Sequence, residues 1–190
     1  MSTDVIATLA GLSPESALQA IRDRKPITVD QAQASYRALF EPTDDSQMSL
    51  TERRAVATFV AGLHDDSEAT LFYVAHLPAD LATTIAAEAE RARTTGPYGA
   101  YPSGPLSTED VPGPIYHPTD PALGPRLPAA LAHAHMLIFH PRDASPEALQ
   151  TLLNAGWSNQ GIVTLSQLVA FLAFQLRASA ALRILARTPA

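Results

Sequence analysis

The 190-residue chain contains no cysteine. This absence excludes disulfides, thiolate-ligated zinc, iron–sulfur clusters and every reaction that begins with a thiolate nucleophile. Charge is also scarce: charged residues make up 17% of the chain, and 13 Lys and Arg stand against 19 Asp and Glu. Because nucleic-acid affinity depends on clustered Lys and Arg, an acidic chain of this kind predicts no nucleic-acid partner.

Sequence signals for membranes, export and nucleotide cofactors are missing as well. The longest apolar run, residues 168–174, is far shorter than the roughly 18 residues of a membrane span. A secretory signal or a transit peptide requires basic side chains near its start, and no basic side chain precedes Arg22. No glycine-rich phosphate-binding pattern is present. We therefore predict a cytoplasmic protein with no membrane partner and no cofactor.

The chain does contain many helix-initiation signals and enough apolar residues, 46%, for a sizeable core. Ser13 and Ser145 each precede Pro-Glu, which is typical of a capping hydroxyl followed by proline at the first helical position. Capping boxes are predicted at Thr28 and Ser49. No stretch alternates with period two, so the pattern predicts an all-α fold. Beyond the helices that start at Ser13 and Ser145, the predicted helices cover residues 28–40, 50–63, 67–76, 79–93, 127–139 and 159–187.

A proline- and glycine-rich segment divides the chain. Residues 96–125 hold eight of the 16 prolines and five of the nine glycines, a density that regular helices do not tolerate. Tyr98, Tyr101 and Tyr116 within it favour a strap that lies on the folded body over a disordered linker. We therefore predict a single domain with N-terminal helices (1–95), a strap (96–125) and C-terminal helices (126–190).

The last predicted helix, residues 159–187, is apolar around most of its middle. A helix that is apolar on every face is buried in a core or between subunits. In a chain of this length we expect part of that surface to meet a second copy, and the sequence therefore predicts a homo-oligomer.

Two segments together resemble the carboxymuconolactone decarboxylase/alkylhydroperoxidase D superfamily, in particular its peroxidase-related branch. Residues 50–76 read LTERRAVATFVAGLHDDSEATLFYVAH and are similar to the family's helix, turn and Cys-x-x-Cys-x-x-x-His helix. Residues 155–182 read AGWSNQGIVTLSQLVAFLAFQLRASAAL and resemble its C-terminal apolar helix with a following arginine. The strap at 96–114 resembles that of a longer subgroup. The resemblance implies an alkylhydroperoxidase-D-like helical bundle.

The resemblance also implies which functional groups this chain has lost. Counted back from His76, the two redox-cysteine positions fall on Ala69 and Phe72, and neither side chain can attack a peroxide. Arg54 stands at the position of the proton-relaying glutamate, with Glu52 half a turn earlier. Of the motif's functional groups, His76 alone is in place.

Three functions stay open on these residues. The first is a cysteine-free member that binds a small molecule or a partner protein, an active paralogue being one candidate partner. The second is a non-redox lyase or decarboxylase-like enzyme in which His76 acts as acid/base, with Glu52 or Glu68 nearby. The third is hydroperoxide reduction by family inheritance, which the missing thiols disfavour. The alternative to a chemical role is a partly buried His76 that is kept for packing or for a hydrogen bond.

The other histidines do not predict a metal site. His133 and His135 are two residues apart and point to different sides of a helix, while His140 lies two turns beyond His133. This spacing does not bring three ligands to one ion, so we predict no bound metal.

Overall fold

The computed structural model describes residues 4–187, and this part of the chain forms α-helices and no β-strand. The all-α prediction is therefore confirmed for the described residues. The α-helices are α1 (Val5–Ala10), α2 (Ala17–Arg22), α3 (Pro26–Phe40), α4 (Leu50–Leu63), α5 (Ser67–Val74), α6 (Ala79–Ala92), α7 (Leu127–Phe139), α8 (Pro146–Asn154) and α9 (Asn159–Arg187). Short 3-10 helices span Pro105–Glu109, Pro121–Leu123 and Pro141–Asp143.

The capping box at the start of α4 forms as predicted. The Ser49 hydroxyl accepts from the Glu52 main-chain N–H at 3.2 Å, and the Glu52 carboxylate accepts from the Ser49 N–H at 2.8 Å. Ser145 likewise accepts from the Ala148 N–H at the start of α8. Gly156, which follows α8, has a φ of +90°, a conformation that favours glycine after a helix end.

Two other predicted helix starts are wrong. Ser16, not Ser13, caps α2, because its hydroxyl accepts from the Gln19 N–H, whereas Ser13 begins a turn in which its carbonyl accepts from the Ser16 N–H at 3.1 Å. Thr28 lies inside α3, which begins at Pro26 without a side-chain cap. The Thr28 hydroxyl donates back to the Lys25 carbonyl at 2.8 Å. Thr28 is therefore part of the first turn of α3 and does not cap the start of the helix.

Helix α4 is the centre of the core. It packs against α5, α6, α7 and α9. Its residues from Ala55 to Ala61 are almost completely inaccessible to solvent, and the small side chains Ala55, Ala57 and Ala61 allow neighbouring helices to approach closely. The central position of α4 fixes where its neighbours present their functional groups.

Helix α9 buries one face and leaves the opposite one open. The buried side chains include Leu165, Leu168 and Leu172, which recur at helical spacing. Val163 and Phe174 are more than half exposed. By length and composition alone α9 could cross a membrane, and a core helix of a soluble protein meets the same criterion.

The strap lies on the helical body. Tyr98 and Tyr116 are buried, whereas Tyr101 is half-buried. Gly99 and Val111 form an isolated antiparallel bridge through two main-chain hydrogen bonds of 2.8 and 3.2 Å. The Tyr98 N–H donates to the Phe139 carbonyl at 2.9 Å, which joins the strap to the end of α7.

Candidate functional site

The two positions that the resemblance assigns to redox cysteines lie on α5, which Asp66 caps. Ala69 is completely buried, and its N–H donates to the Asp66 carboxylate at 3.1 Å. Phe72 is half-buried, with its ring centroid 6.3 Å from that of Tyr36 and 5.1 Å from that of Tyr73. The two positions therefore hold a buried methyl group and an aromatic ring packed against two tyrosines.

His76 and Glu52 are not joined by a hydrogen bond or an ion pair. His76 lies exposed in the turn that follows α5. The Glu52 carboxylate is engaged by the capping box and by an ion pair with Arg126 at 3.1 Å. Arg54, at the relay position, is half-buried on α4. The structure provides no hydrogen-bonded carboxylate for the His76 imidazole. The acid/base role of His76 with Glu52 therefore stays a prediction.

A cavity of about 460 Å³ borders Phe72 and is formed by α1, α3 and α5. Its volume falls in the range of small-molecule sites. Tyr36 shares the aromatic wall and stacks on Phe40 at 5.0 Å. Burial, and next the nearby Glu41 carboxylate, raise the pKa of Tyr36, so its phenol stays protonated at neutral pH. The lining residues are Val5, Thr8, Gln33, Tyr36, Arg37, Glu41 and Phe72.

A second cluster of functional groups lies where the strap crosses the ends of α6 and α7. The Nε2 atom of His135 is 3.1 Å from the Ala92 carbonyl oxygen, and its Nδ1 atom is 3.2 Å from Nε2 of His140. Nδ1 of His140 is in turn 2.8 Å from the Asp143 carboxylate. Both imidazoles are buried. The sequence prediction considered these histidines only as ligands of one metal ion, rejected that site, and missed the chain of contacts that they form.

Beside His135, the strap adds a buried tyrosine–carboxylate pair. The Tyr116 hydroxyl donates to Glu88, which also forms an ion pair with Arg91. The ring of Tyr116 lies 5.2 Å from that of His135. Burial is the main cause that raises the pKa of Tyr116, so this phenol holds its proton and serves as a hydrogen-bond donor. A cavity of about 450 Å³ adjoins Arg91, Tyr116 and His135.

The remaining histidine of α7 is occupied elsewhere. Nε2 of His133 is 3.0 Å from the Ser166 hydroxyl on α9, and burial lowers the pKa of His133. Within residues 4–187, no group of three or more His, Asp or Glu side chains is arranged to hold a metal ion.

Comparison with known proteins identifies no relative: no family model matches the chain, and no curated protein or solved structure matches it. The superfamily resemblance accordingly depends on residues 50–76, 155–182 and the strap at 96–114 of the sequence itself.

Proposed function

We propose that this chain is a cysteine-free member of the carboxymuconolactone decarboxylase/alkylhydroperoxidase D superfamily that binds a small molecule in the cavity beside Phe72. The observation that carries the proposal is the placement of Phe72. At a position where the resemblance expects a redox cysteine, an aromatic ring borders a cavity of about 460 Å³. A ring offers a contact surface to a ligand and no atom that can reduce a peroxide.

The lining residues indicate the chemistry of the ligand. Tyr36 and Phe72 provide aromatic surface, which favours a flat or cyclic apolar group. Gln33, Arg37 and Glu41 supply polar atoms at the same cavity. Because Arg37 and Glu41 have opposite charges, the lining has no net charge, and an uncharged ring with a single polar substituent fits it better than an ion does.

The two enzymatic alternatives have less support. His76 does not line the cavity, and it lacks a carboxylate partner that would orient or tune it for proton transfer. Hydroperoxide reduction by the thiol route has no sulfur nucleophile with which to begin. Purified protein should therefore consume cumene hydroperoxide with dithiothreitol no faster than a protein-free control.

The binding proposal can be tested by two-dimensional NMR titration with phenol and with cyclohexanol. We expect saturable shifts at the amides of Gln33, Tyr36 and Phe72, with phenol binding more tightly because it can stack on the aromatic wall. Substituting Thr8→Trp should block the cavity. Thr83→Trp is the matched control: both threonines are exposed helical residues whose hydroxyls donate to the carbonyl four residues earlier at 3.0 Å.

The outcomes separate the alternatives. Saturable shifts that Thr8→Trp abolishes and Thr83→Trp preserves support the proposal, and His76→Gln should leave them unchanged. Shifts that are linear in ligand concentration, or that survive Thr8→Trp, would show that this cavity is not the binding site. Catalytic loss of the peroxide by metal-free protein would show that the chain retains the third function.

We also propose a second copy of this chain as the partner of α9. Residues 160–176 of α9 carry no charge, and 39% of the most apolar 18-residue window is buried within one chain. The open face of α9 comprises the exposed residues Val163, Gln167, Ala170, Phe174, Arg177 and Ala181 at helical spacing, and four of these six side chains are apolar. A symmetric dimer would cover this face in both copies.

Sedimentation equilibrium at micromolar concentration tests the dimer. Phe174→Glu should shift the protein to monomer, whereas Ile21→Glu should not, although the two side chains are exposed to a similar extent, 53% and 56%. A wild-type protein that sediments as a monomer would contradict the proposal.

A further inference from the structure

The buried chain of contacts from Ala92 to Asp143 requires one more proton than two neutral imidazoles supply. Its three hydrogen bonds link the Ala92 carbonyl, His135, His140 and the Asp143 carboxylate in that order. A carbonyl and a carboxylate can only accept, and a neutral imidazole has a single N–H. Three hydrogen bonds need three protons, whereas two neutral rings provide two.

The extra proton belongs on His140. An imidazole is intrinsically a stronger base than an aspartate carboxylate by about 2.6 pKa units, so the proton lies on a ring and not on Asp143. His140 contacts the negative carboxylate directly, whereas His135 faces a neutral carbonyl and is 1% exposed. An imidazolium at His140 donates to Asp143 through Nδ1 and to His135 through Nε2, and a neutral His135 donates to Ala92.

The same residues hold the strap in place. The Tyr98 ring is parallel to the His140 ring within 11°, at a centroid distance of 5.0 Å. The Ala100 N–H donates to Asp143 at 2.8 Å. An imidazolium under the Tyr98 ring adds a cation–π attraction that a neutral imidazole does not provide.

We propose that the Asp143–His140–His135 chain is a proton-dependent latch that fastens the strap over the ends of α6 and α7. With the extra proton, every nitrogen and oxygen in the chain has a complementary partner. Once that proton is lost, at least one contact brings two hydrogen-bond acceptors face to face. In a buried site such a contact raises the free energy of the folded state, because water cannot supply the missing donor. Displacement of His140 relieves the mismatch and releases the strap at Tyr98 and Ala100.

Several other titratable or charged groups face the latch. Tyr98 and Tyr116 are neutral strap residues whose pKa values burial raises. Glu88 and Arg91 on α6 pair with each other on the other side of Tyr116. The cavity that His135 borders is also lined by Arg93, which forms ion pairs with Asp65 and Glu90, and by His117. Control variants must therefore isolate the contribution of Asp143.

The proton count can be read directly from the imidazole nitrogens by ¹⁵N NMR of the full-length chain. Near pH 6 we expect both nitrogens of His140 and Nε2 of His135 to be protonated, with Nδ1 of His135 unprotonated, and in alkaline solution we expect one of these three protons to be lost. Two protonated nitrogens at every pH above about 5 would overturn the proposal.

Release of the strap can be followed by amide hydrogen exchange, corrected for the intrinsic effect of pH. Between about pH 6 and pH 9, protection of the Tyr98 and Ala100 amides should fall roughly tenfold, while amides of α4 keep theirs. Asp143→Asn should give low protection at both pH values. Asp110→Asn is the matched control, because Asp110 accepts from the Tyr101 N–H within the strap at 2.7 Å but does not contact His140.

The outcomes of the exchange experiment are distinct. A pH-dependent loss of protection that Asp143→Asn removes and Asp110→Asn retains supports the latch. Protection that does not change with pH in the wild-type chain would overturn it, as would an unaltered pH dependence in Asp143→Asn.

Discussion

Acidification should destabilise this fold through His135, because the folded protein keeps that imidazole neutral. Burial, and next the neighbouring His140, lower the pKa of His135 from 6.5 to about 4. In the unfolded chain the same imidazole takes up a proton near its ordinary pKa of about 6.5. Between these two values the unfolded state binds more protons than the folded state, so the free energy of unfolding decreases as the pH falls.

The size of this effect follows from the interval between the two pKa values. Each pKa unit corresponds to about 1.4 kcal/mol, so protonation of His135 in the unfolded chain removes roughly 3 kcal/mol of stability by pH 4. Above about pH 7.5 the contribution is constant, because both states are then neutral at this residue. His64 and His133 also have lowered pKa values, and burial is the main cause for both, so they act in the same direction.

Urea denaturation at pH 7 and at pH 4.5 measures the effect. His135→Gln retains an amide donor for the Ala92 carbonyl but cannot take up a proton. The loss of stability between the two pH values should therefore be smaller in His135→Gln than in wild type by about 2 to 3 kcal/mol. His76→Gln is the control, since His76 is exposed. An equal loss in wild type and His135→Gln would refute the claim that the folded protein excludes a proton from His135.

Four further substitutions test other parts of the structure. Arg53→Met should lower the free energy of unfolding by about 2 to 4 kcal/mol in urea titrations, because this buried guanidinium donates to two main-chain carbonyls. Tyr73→Phe and Gln175→Leu should each lower the free energy of unfolding, because the Tyr73 hydroxyl donates to Gln175 at 2.5 Å in a fully buried site. The double variant should lose less free energy than the sum of the two single losses, since both substitutions remove the same hydrogen bond. Gly113→Ala should displace the Tyr98 ring, whose nearest carbon would lie 2.2 Å from the new methyl group, and should lower the melting temperature.

Local chemistry allowed much of the secondary structure to be predicted. Helices α4, α7 and α9 have the predicted bounds, because the capping box at Ser49 and the helical apolar spacing act within a few residues of each other. The start of α2 was wrong because Ser13 and Ser16 are equally good caps on local grounds. Which hydroxyl caps a helix depends on the path of the chain that leads into it.

The candidate sites could be predicted only in part, because they depend on contacts between distant segments. The latch joins Ala92 at the end of α6 to His135 on α7, 43 residues later in the sequence. His140 and Asp143 are close in sequence, and a histidine followed by an aspartate three residues later is a local signal for a paired imidazole. Nothing in that signal indicates that His135 completes the chain of contacts or that Tyr98 covers it.

The cavity beside Phe72 and the latch lie on different neighbours of α4, and this arrangement determines how they can influence each other. The cavity is formed by α1, α3 and α5, whereas the latch involves α6, α7 and the strap. Coupling between them would require α4 or α9, each of which contacts helices of both sites, to adopt two discrete arrangements. The close-packed alanines of α4 leave little room for a second arrangement, since Ala55, Ala57 and Ala61 are completely buried, and Leu165, Leu168 and Leu172 of α9 are buried in the same way. A ligand beside Phe72 should thus leave the strap unaffected, and a ligand that tightens the strap would have to bind the cavity next to Tyr116.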